Sequence, residues 1–305
     1  MKIIFFGTSE FGAIVLRTIM KAGMVPVLVV TAKDKPAGRK LILHASPVKR
    51  AAQELHIPLL QPEALQEKVL SELRSMEPDL FLVAAYGKIL PPELLDIPKQ
   101  GSLNVHPSLL PLYRGSAPVQ NALLSGDEKT GVTVILMDER MDHGMILAQR
   151  EFSVSKPTHQ ELHNALAELG GSLLAEIIPQ WAAGTIKPIL QDDSKATYTR
   201  RFIKEDGRID WSKPAVYIER QVRALQPWPG AYTYLKSQIL KILKAQIAEN
   251  MQGEAGKTFQ TKDGKLAVYA GKDALVIEEL QLEGKKPMSS KEFLLGHQDI
   301  LSAKF

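Results

Sequence analysis

The chain is 305 residues long, a length that suits two domains of about 200 and 100 residues better than one. Hydrophobic residues make up 45% and charged residues 24%, the proportions of an ordinary globular protein rather than a disordered or membrane one. There is no cysteine, which excludes disulfides and cysteine-ligated zinc; the net charge of +4 is compatible with a polyanionic partner without requiring one.

The run Met1-Lys2-Ile3-Ile4-Phe5-Phe6 leads straight into Gly7 and is too short for a secretory signal, so a cytoplasmic location is expected. No stretch approaches the roughly 20 apolar residues of a membrane span, and no membrane association is expected. Residues 2–6 read as a strand, and the spacing of Phe11, Val15 and Ile19 predicts a helix over 11–21. Further strands are expected at 25–31, 57–60 and 79–85, separated by helices beginning near Pro47 and spanning 65–76. Strands alternating with helices imply an α/β, Rossmann-like parallel sheet, whose ligands sit beyond the carboxyl ends of its strands. The alternation fades after about residue 190 at the polar stretch Gln191-Asp192-Asp193-Ser194-Lys195. A domain boundary is placed between 204 and 205. Beyond it, a helix at 216–225 and short strands at 231–235, 240–247, 265–269 and 274–282 predict a small OB-like β-barrel.

The first loop does not carry a dinucleotide fingerprint. That motif needs glycines at its first, third and sixth positions, and here Gly7 and Gly12 flank Ser9, so no nicotinamide or flavin cofactor is expected. No metal is expected either, since cysteine and paired-histidine ligand spacings are both missing. The richest segment runs from Ser102 to Pro118. In an extended chain Asn104 and His106 emerge on the same face, where two donors can converge on one oxygen. A strand over 132–137 is followed by Asp138-Glu139-Arg140-Met141-Asp142-His143-Gly144. Asp142 is then a candidate to orient His106 and interact with its cationic form. His143, one of seven histidines, competes with His106 for a catalytic role, and an aspartate near a glycine is also an ordinary turn.

Asn104-Val105-His106-Pro107-Ser108-Leu109-Leu110-Pro111, with Tyr113-Arg114-Gly115 and Met141-Asp142-His143-Gly144, resembles the folate-dependent formyltransferases. Within them the likeness is to the members that act on an initiator-type methionyl-tRNA, and it extends to Trp228-Pro229-Gly230-Ala231. The resemblance implies 10-formyltetrahydrofolate as donor, with Asn104 and His106 holding the formyl oxygen and Asp142 pairing with His106. Ser108, Leu109, Leu110 and Pro111 would line the folate site. The loop Lys35-Pro36-Ala37-Gly38-Arg39-Lys40-Leu41 is similar to the family's basic insertion, so Arg39, Lys35 and Lys40 would meet the tRNA, although the family's run of basic residues is commonly longer. Residues 1–204 would form the folate-binding catalytic domain and 205–305 the tRNA-binding one. Read on their own, Lys241, Lys244, Lys257, Lys262 and Lys265 are candidate phosphate contacts, but Glu249 and Glu254 are interspersed and a solvated face is an equally good reading. A monomer is the default, and an amino-sugar nucleotide is the alternative acceptor.

Overall fold

The computed structural model describes residues 1–37 and 42–305. In chain order the first elements are β1 (Ile3–Gly7), α1 (Glu10–Lys21), β2 (Leu28–Val30), β3 (Lys35–Ala37), β4 (Ile42–His44), α2 (Pro47–Glu54), β5 (Leu59–Leu60), α3 (Glu67–Ser75), β6 (Leu80–Ala84) and α4 (Pro92–Leu95). There follow β7 (Ser102–His106), β8 (Arg114–Gly115), α5 (Pro118–Ser125), β9 (Lys129–Leu136), β10 (Met145–Ser153), α6 (His159–Ala182) and β11 (Tyr198–Thr199). The last are α7 (Ala215–Ala224), β12 (Tyr232–Leu235), β13 (Gln238–Ala248), β14 (Thr258–Gln260), β15 (Leu266–Tyr269), β16 (Ala274–Leu282), β17 (Met288–Ser289) and α8 (Ser290–Gly296). By their contacts, residues 1–118, 128–154 and 162–199 form one unit, and residues 119–127, 155–161 and 200–305 a second.

The first unit is built on a seven-stranded sheet in the order β10-β9-β7-β6-β1-β2-β5. β7, β6, β1, β2 and β5 run parallel, as the alternation of elements predicts. β9 departs from that expectation: it lies antiparallel to β7, and β10 is antiparallel to β9. β1 and β6 are buried along their whole length, which is why they read as unbroken apolar runs. β10 alternates between covered and exposed residues, the pattern of a sheet edge with one face in water. On one face, Ile4, Phe6, Phe81 and Val83 pack with Leu70 and Leu73 of α3 and with Leu94 and Leu95 of α4. Burying each such side chain contributes roughly 1.5–3 kcal/mol. The long helix α6, absent from the expected elements although Leu162, Leu166, Leu173 and Ile177 recur at helical spacing, approaches β7 closely enough that a Cβ on Gly170 would stand 2.6 Å from Val105 Cγ2.

Ser46 caps α2, its hydroxyl accepting from the Lys49 amide at 3.0 Å, with Pro47 at the first helical position. Ser46 also bonds Thr31 at the end of the β2 region, tying the helix start to the sheet.

The second unit carries an antiparallel half-barrel with strand order β12-β13-β16-β15-β14, and β17 pairs with β16. Its core comprises Ile218 and Val222 from α7, Leu240 and Ile242 from β13, Ile277 and Leu280 from β16, and Phe293 from α8. α8 opens with a capping box between Ser289 and Glu292. Trp211 stacks on Phe305, their ring centroids 5.8 Å apart.

Candidate active site

Asn104 and His106 sit at the carboxyl end of β7. Because a strand alternates its faces, both point to the side opposite Val105. Asn104 is in register with Val83 of β6 and Ile135 of β9, so it extends from a wholly apolar stretch of sheet. His106 is 5% exposed. Its Nε2 lies 2.9 Å from the carbonyl oxygen of Tyr113; a carbonyl only accepts, so this nitrogen carries a hydrogen. Its Nδ1 faces Asp142 Oδ1 at 3.6 Å, and Asn104 Nδ2 reaches the same oxygen at 3.5 Å. Asn104 Nδ2 and His106 Nδ1 therefore converge on one oxygen, which belongs to Asp142; with Nε2 carrying the hydrogen, Nδ1 is a second donor only in the doubly protonated ring. Both contacts are at or beyond the limit of a hydrogen bond, as is common at reaction centres before substrate binds.

Asp142 is brought there by the turn between β9 and β10. Its backbone is left-handed, with φ 51°, a conformation an aspartate tolerates better than most residues. Its second oxygen, Oδ2, accepts from the Gly115 amide at 2.8 Å. Gly115 has φ 112°, and a Cβ there would lie 2.2 Å from the Thr199 carbonyl oxygen. A Cβ on Gly144 would lie 1.9 Å from the Leu136 carbonyl oxygen. Close backbone approach explains both glycines of the recognised motifs.

The 108–111 segment is knitted into the fold. Ser108 is fully buried, and its hydroxyl donates to the Leu112 carbonyl at 2.6 Å. The Leu110 amide donates to Thr133 Oγ1 at 3.0 Å, and the Leu110 carbonyl accepts from Gln149 Nε2 at 2.8 Å. The hydroxyl of Ser108 and the amide and carbonyl of Leu110 are thus all satisfied within the fold. Of the basic loop, Arg39 and Lys40 lie outside the described residues, and Lys35 opens β3. In the second unit, Lys244 and Lys265 pair with Glu278 at 3.3 and 3.8 Å.

His143 is set apart from this group: its Nδ1 is 2.5 Å from Asp138 Oδ2, and its Nε2 is 3.4 Å from Asp193 Oδ2. It braces the turn through carboxylates. Sequence reasoning passed over Arg114 and Gln191 as site residues, although they join this region through the buried Arg114 side chain, 1% exposed. The Arg114 guanidinium donates to Asp193 Oδ1 at 2.7 Å and holds that carboxyl below its ordinary range. Among the described residues, no cluster of three or more histidine, aspartate or glutamate side chains is arranged to hold a metal. Nor is any helix there long and apolar enough to cross a membrane.

Two donors and a carboxylate at the end of a central strand, on a sheet without the dinucleotide glycine fingerprint, define a centre suited to acyl transfer. Residues 1–178 match the formyl transferase family and residues 201–298 the family of its C-terminal domain, and the chain belongs to the formyl transferase family. It is 45% identical over 307 residues to the methionyl-tRNA formyltransferase of Chloroflexus aurantiacus, covering 98% of both chains. It is 42% identical over 299 residues to that of Bacillus velezensis, covering 97% of this chain and 94% of the relative. Among solved structures, the N-formyltransferase of Helicobacter canadensis with folinic acid and dTDP-3-aminofucose superimposes with a TM-score of 0.68 at 19% identity, over 91% of this chain and 98% of that one. HypX from Aquifex aeolicus with tetrahydrofolic acid gives 0.64 at 18% identity; the match covers 96% of this chain and 47% of HypX. At these identities the likeness is one of fold.

Proposed function

We infer that the chain is an enzyme that transfers a formyl group to the α-amino group of methionyl-tRNA, with 10-formyltetrahydrofolate as donor and the initiator tRNA as acceptor. The observation that carries this reading is the convergence of Asn104 and His106 on Asp142, within a chain 45% identical end to end to a methionyl-tRNA formyltransferase. In the reaction the neutral amine attacks the formyl carbon and negative charge grows on the formyl oxygen; the tetrahedral adduct then collapses with cleavage of the bond from the formyl carbon to N10, and tetrahydrofolate leaves with N10 taking up the proton that the amine gives up. The Asn104 amide is the readiest donor to that oxygen, since its present contact with Asp142 is long. His106 has Nε2 engaged by Tyr113, so the ring position it turns toward Asp142 and the site is Nδ1. Preset donors at a developing charge lower the barrier because they need not reorganise during the step.

In this reading, residues 1–204 hold the folate and the chemistry, with Ser108, Leu109, Leu110 and Pro111 as part of the folate wall. Residues 205–305 serve the tRNA, together with Lys35, Arg39 and Lys40. The enzyme works as a cytoplasmic monomer.

The test is formyl transfer from 10-formyltetrahydrofolate to methionyl initiator tRNA, run beside free methionine and an amino-sugar nucleotide. Transfer confined to the charged tRNA is expected. Transfer to the sugar alone would retain the chemistry and overturn the acceptor, and transfer to none of the three would overturn the reading.

A further inference from the structure

A hydrogen-bond relay through the buried Arg114 side chain and the half-buried Gln191 reaches Asp142 from an element far away in sequence. Arg114 donates from Nε and Nη2 to Gln191 Oε1 at 3.1 and 2.8 Å. It also donates from Nη2 to Asp193 Oδ1 at 2.7 Å and from Nη1 to the Tyr198 hydroxyl at 3.1 Å. On its other side, Gln191 Nε2 donates to the carbonyl oxygens of Asp142 at 2.9 Å and Gly144 at 2.8 Å. A guanidinium only donates and a carbonyl only accepts, so the Gln191 amide has a single workable orientation: oxygen toward Arg114, nitrogen toward the turn. Both of its polar ends are doubly bonded.

We propose that Gln191, aligned by Arg114, is a positioning residue for the formyl-transfer reaction, holding Asp142 in its left-handed conformation so that its carboxylate faces Asn104 and His106. The inference rests on the function proposed above. Asp142 is tethered at two points. The Gly115 amide holds its carboxylate and Gln191 holds its backbone carbonyl, and the same amide group grips Gly144 two residues on. Without the second tether, the φ of 51° has less to maintain it, and the carboxylate is free to shift. A displacement of about 1 Å at a reaction centre costs on the order of 100-fold in rate.

Two substitutions separate positioning from simple support of the buried arginine. Gln191→Glu keeps an acceptor for Arg114 but presents oxygen, not N–H, to the two turn carbonyls. Gln191→Met keeps the approximate length and removes both functions. Positioning predicts that the Glu variant folds with a melting temperature slightly below that of the wild type, because two carbonyls lose their donor, loses about 100-fold in kcat and keeps KM for the folate within a few fold. It also predicts faster amide hydrogen exchange in the peptide covering 138–145. The Met variant should lose kcat similarly and melt lower still; if it fails to fold, the Glu variant alone decides. Wild-type turnover in Gln191→Glu, or unchanged exchange in 138–145, would overturn the inference. Failure of the wild-type enzyme to formylate methionyl-tRNA would sink the function reading instead, while the exchange comparison still decides whether Gln191 holds the turn.

Discussion

One polar cluster in each unit shows two ways of holding side-chain donors. In the C-terminal unit Ser290 and Gln221 tie elements together: Ser290 Oγ donates to the Ile277 carbonyl at 2.5 Å and accepts from the Leu266 amide at 3.3 Å. Gln221 Nε2 likewise spans the carbonyls of Asp206 and Arg208 at 3.0 and 3.3 Å. At the end of β7 in the N-terminal unit, by contrast, Asn104 and His106 stop 3.5 and 3.6 Å short of Asp142 Oδ1, while the groups around them bond at 2.6 to 2.9 Å. On the function proposed above, the difference is one between polar atoms that tie elements together and polar atoms left available to a reacting group.

The sharpest way to break that comparison is to remove one polar group from each region. Asn104→Ala or His106→Ala should lower kcat by about 100- to 1,000-fold, the usual loss for a donor at a developing oxyanion, with circular dichroism and melting temperature close to those of the parent. A variant retaining near-normal turnover would return these side chains to a structural role. Ser290→Ala should do the reverse, costing about 1–3 kcal/mol of stability, because it leaves the Leu266 amide and the Ile277 carbonyl without this partner in a buried place. Its kcat should match wild type at temperatures where it stays folded. Denaturant unfolding and steady-state kinetics on the same preparations check both halves.

The two kinds of group differed just as much in how far the sequence revealed them. Asn104 and His106 were legible because a strand's two-residue period puts them on one face, and β1 and β6 because full burial makes an apolar run. Asp142 lies 36 positions beyond His106, so residue patterning offered it only as a candidate; the family resemblance supplied its pairing with His106. Gln191 was read as part of a polar boundary stretch. A glutamine carries no local signature, and its partners Arg114, Asp142 and Gly144 come from two other segments that only the folded chain brings together. The antiparallel run of β9 was hidden for a related reason: strand direction depends on the connection's path, whereas burial and periodicity look alike in either direction. The apolar face of α6 was legible, since Leu162, Leu166, Leu173 and Ile177 recur at helical spacing with Gly170 and Gly171 between them, and the reading of the alternation simply passed over it.

A smaller effect sharpens the same contrast through pH. Asp193 in the N-terminal unit and Asp206 in the C-terminal unit are both held below their ordinary value of 3.8, Asp193 by its hydrogen bond from Arg114 and Asp206 by hydrogen bonds from Arg200. A carboxyl whose folded-state pKa is depressed adds stability that is present above the unfolded value and disappears as pH falls through the folded one. Both contributions should thus be intact at about pH 5 and fade below about pH 4. Asp206 is bonded twice by Arg200, at 2.7 and 2.6 Å, but that arginine is largely exposed, so solvent screening limits the contribution to no more than about 1 kcal/mol. Asp206→Asn should therefore lower the melting temperature slightly at pH 5 and flatten its further decline toward pH 3, with turnover unchanged. Asp193→Asn should flatten the decline in the same way but also reduce kcat modestly, because the Arg114 guanidinium it steadies is the one that orients Gln191 against the Asp142 turn. Equal kinetics in the two variants would mean that the polar network around Asp142 is as purely structural as the ties in the C-terminal half-barrel.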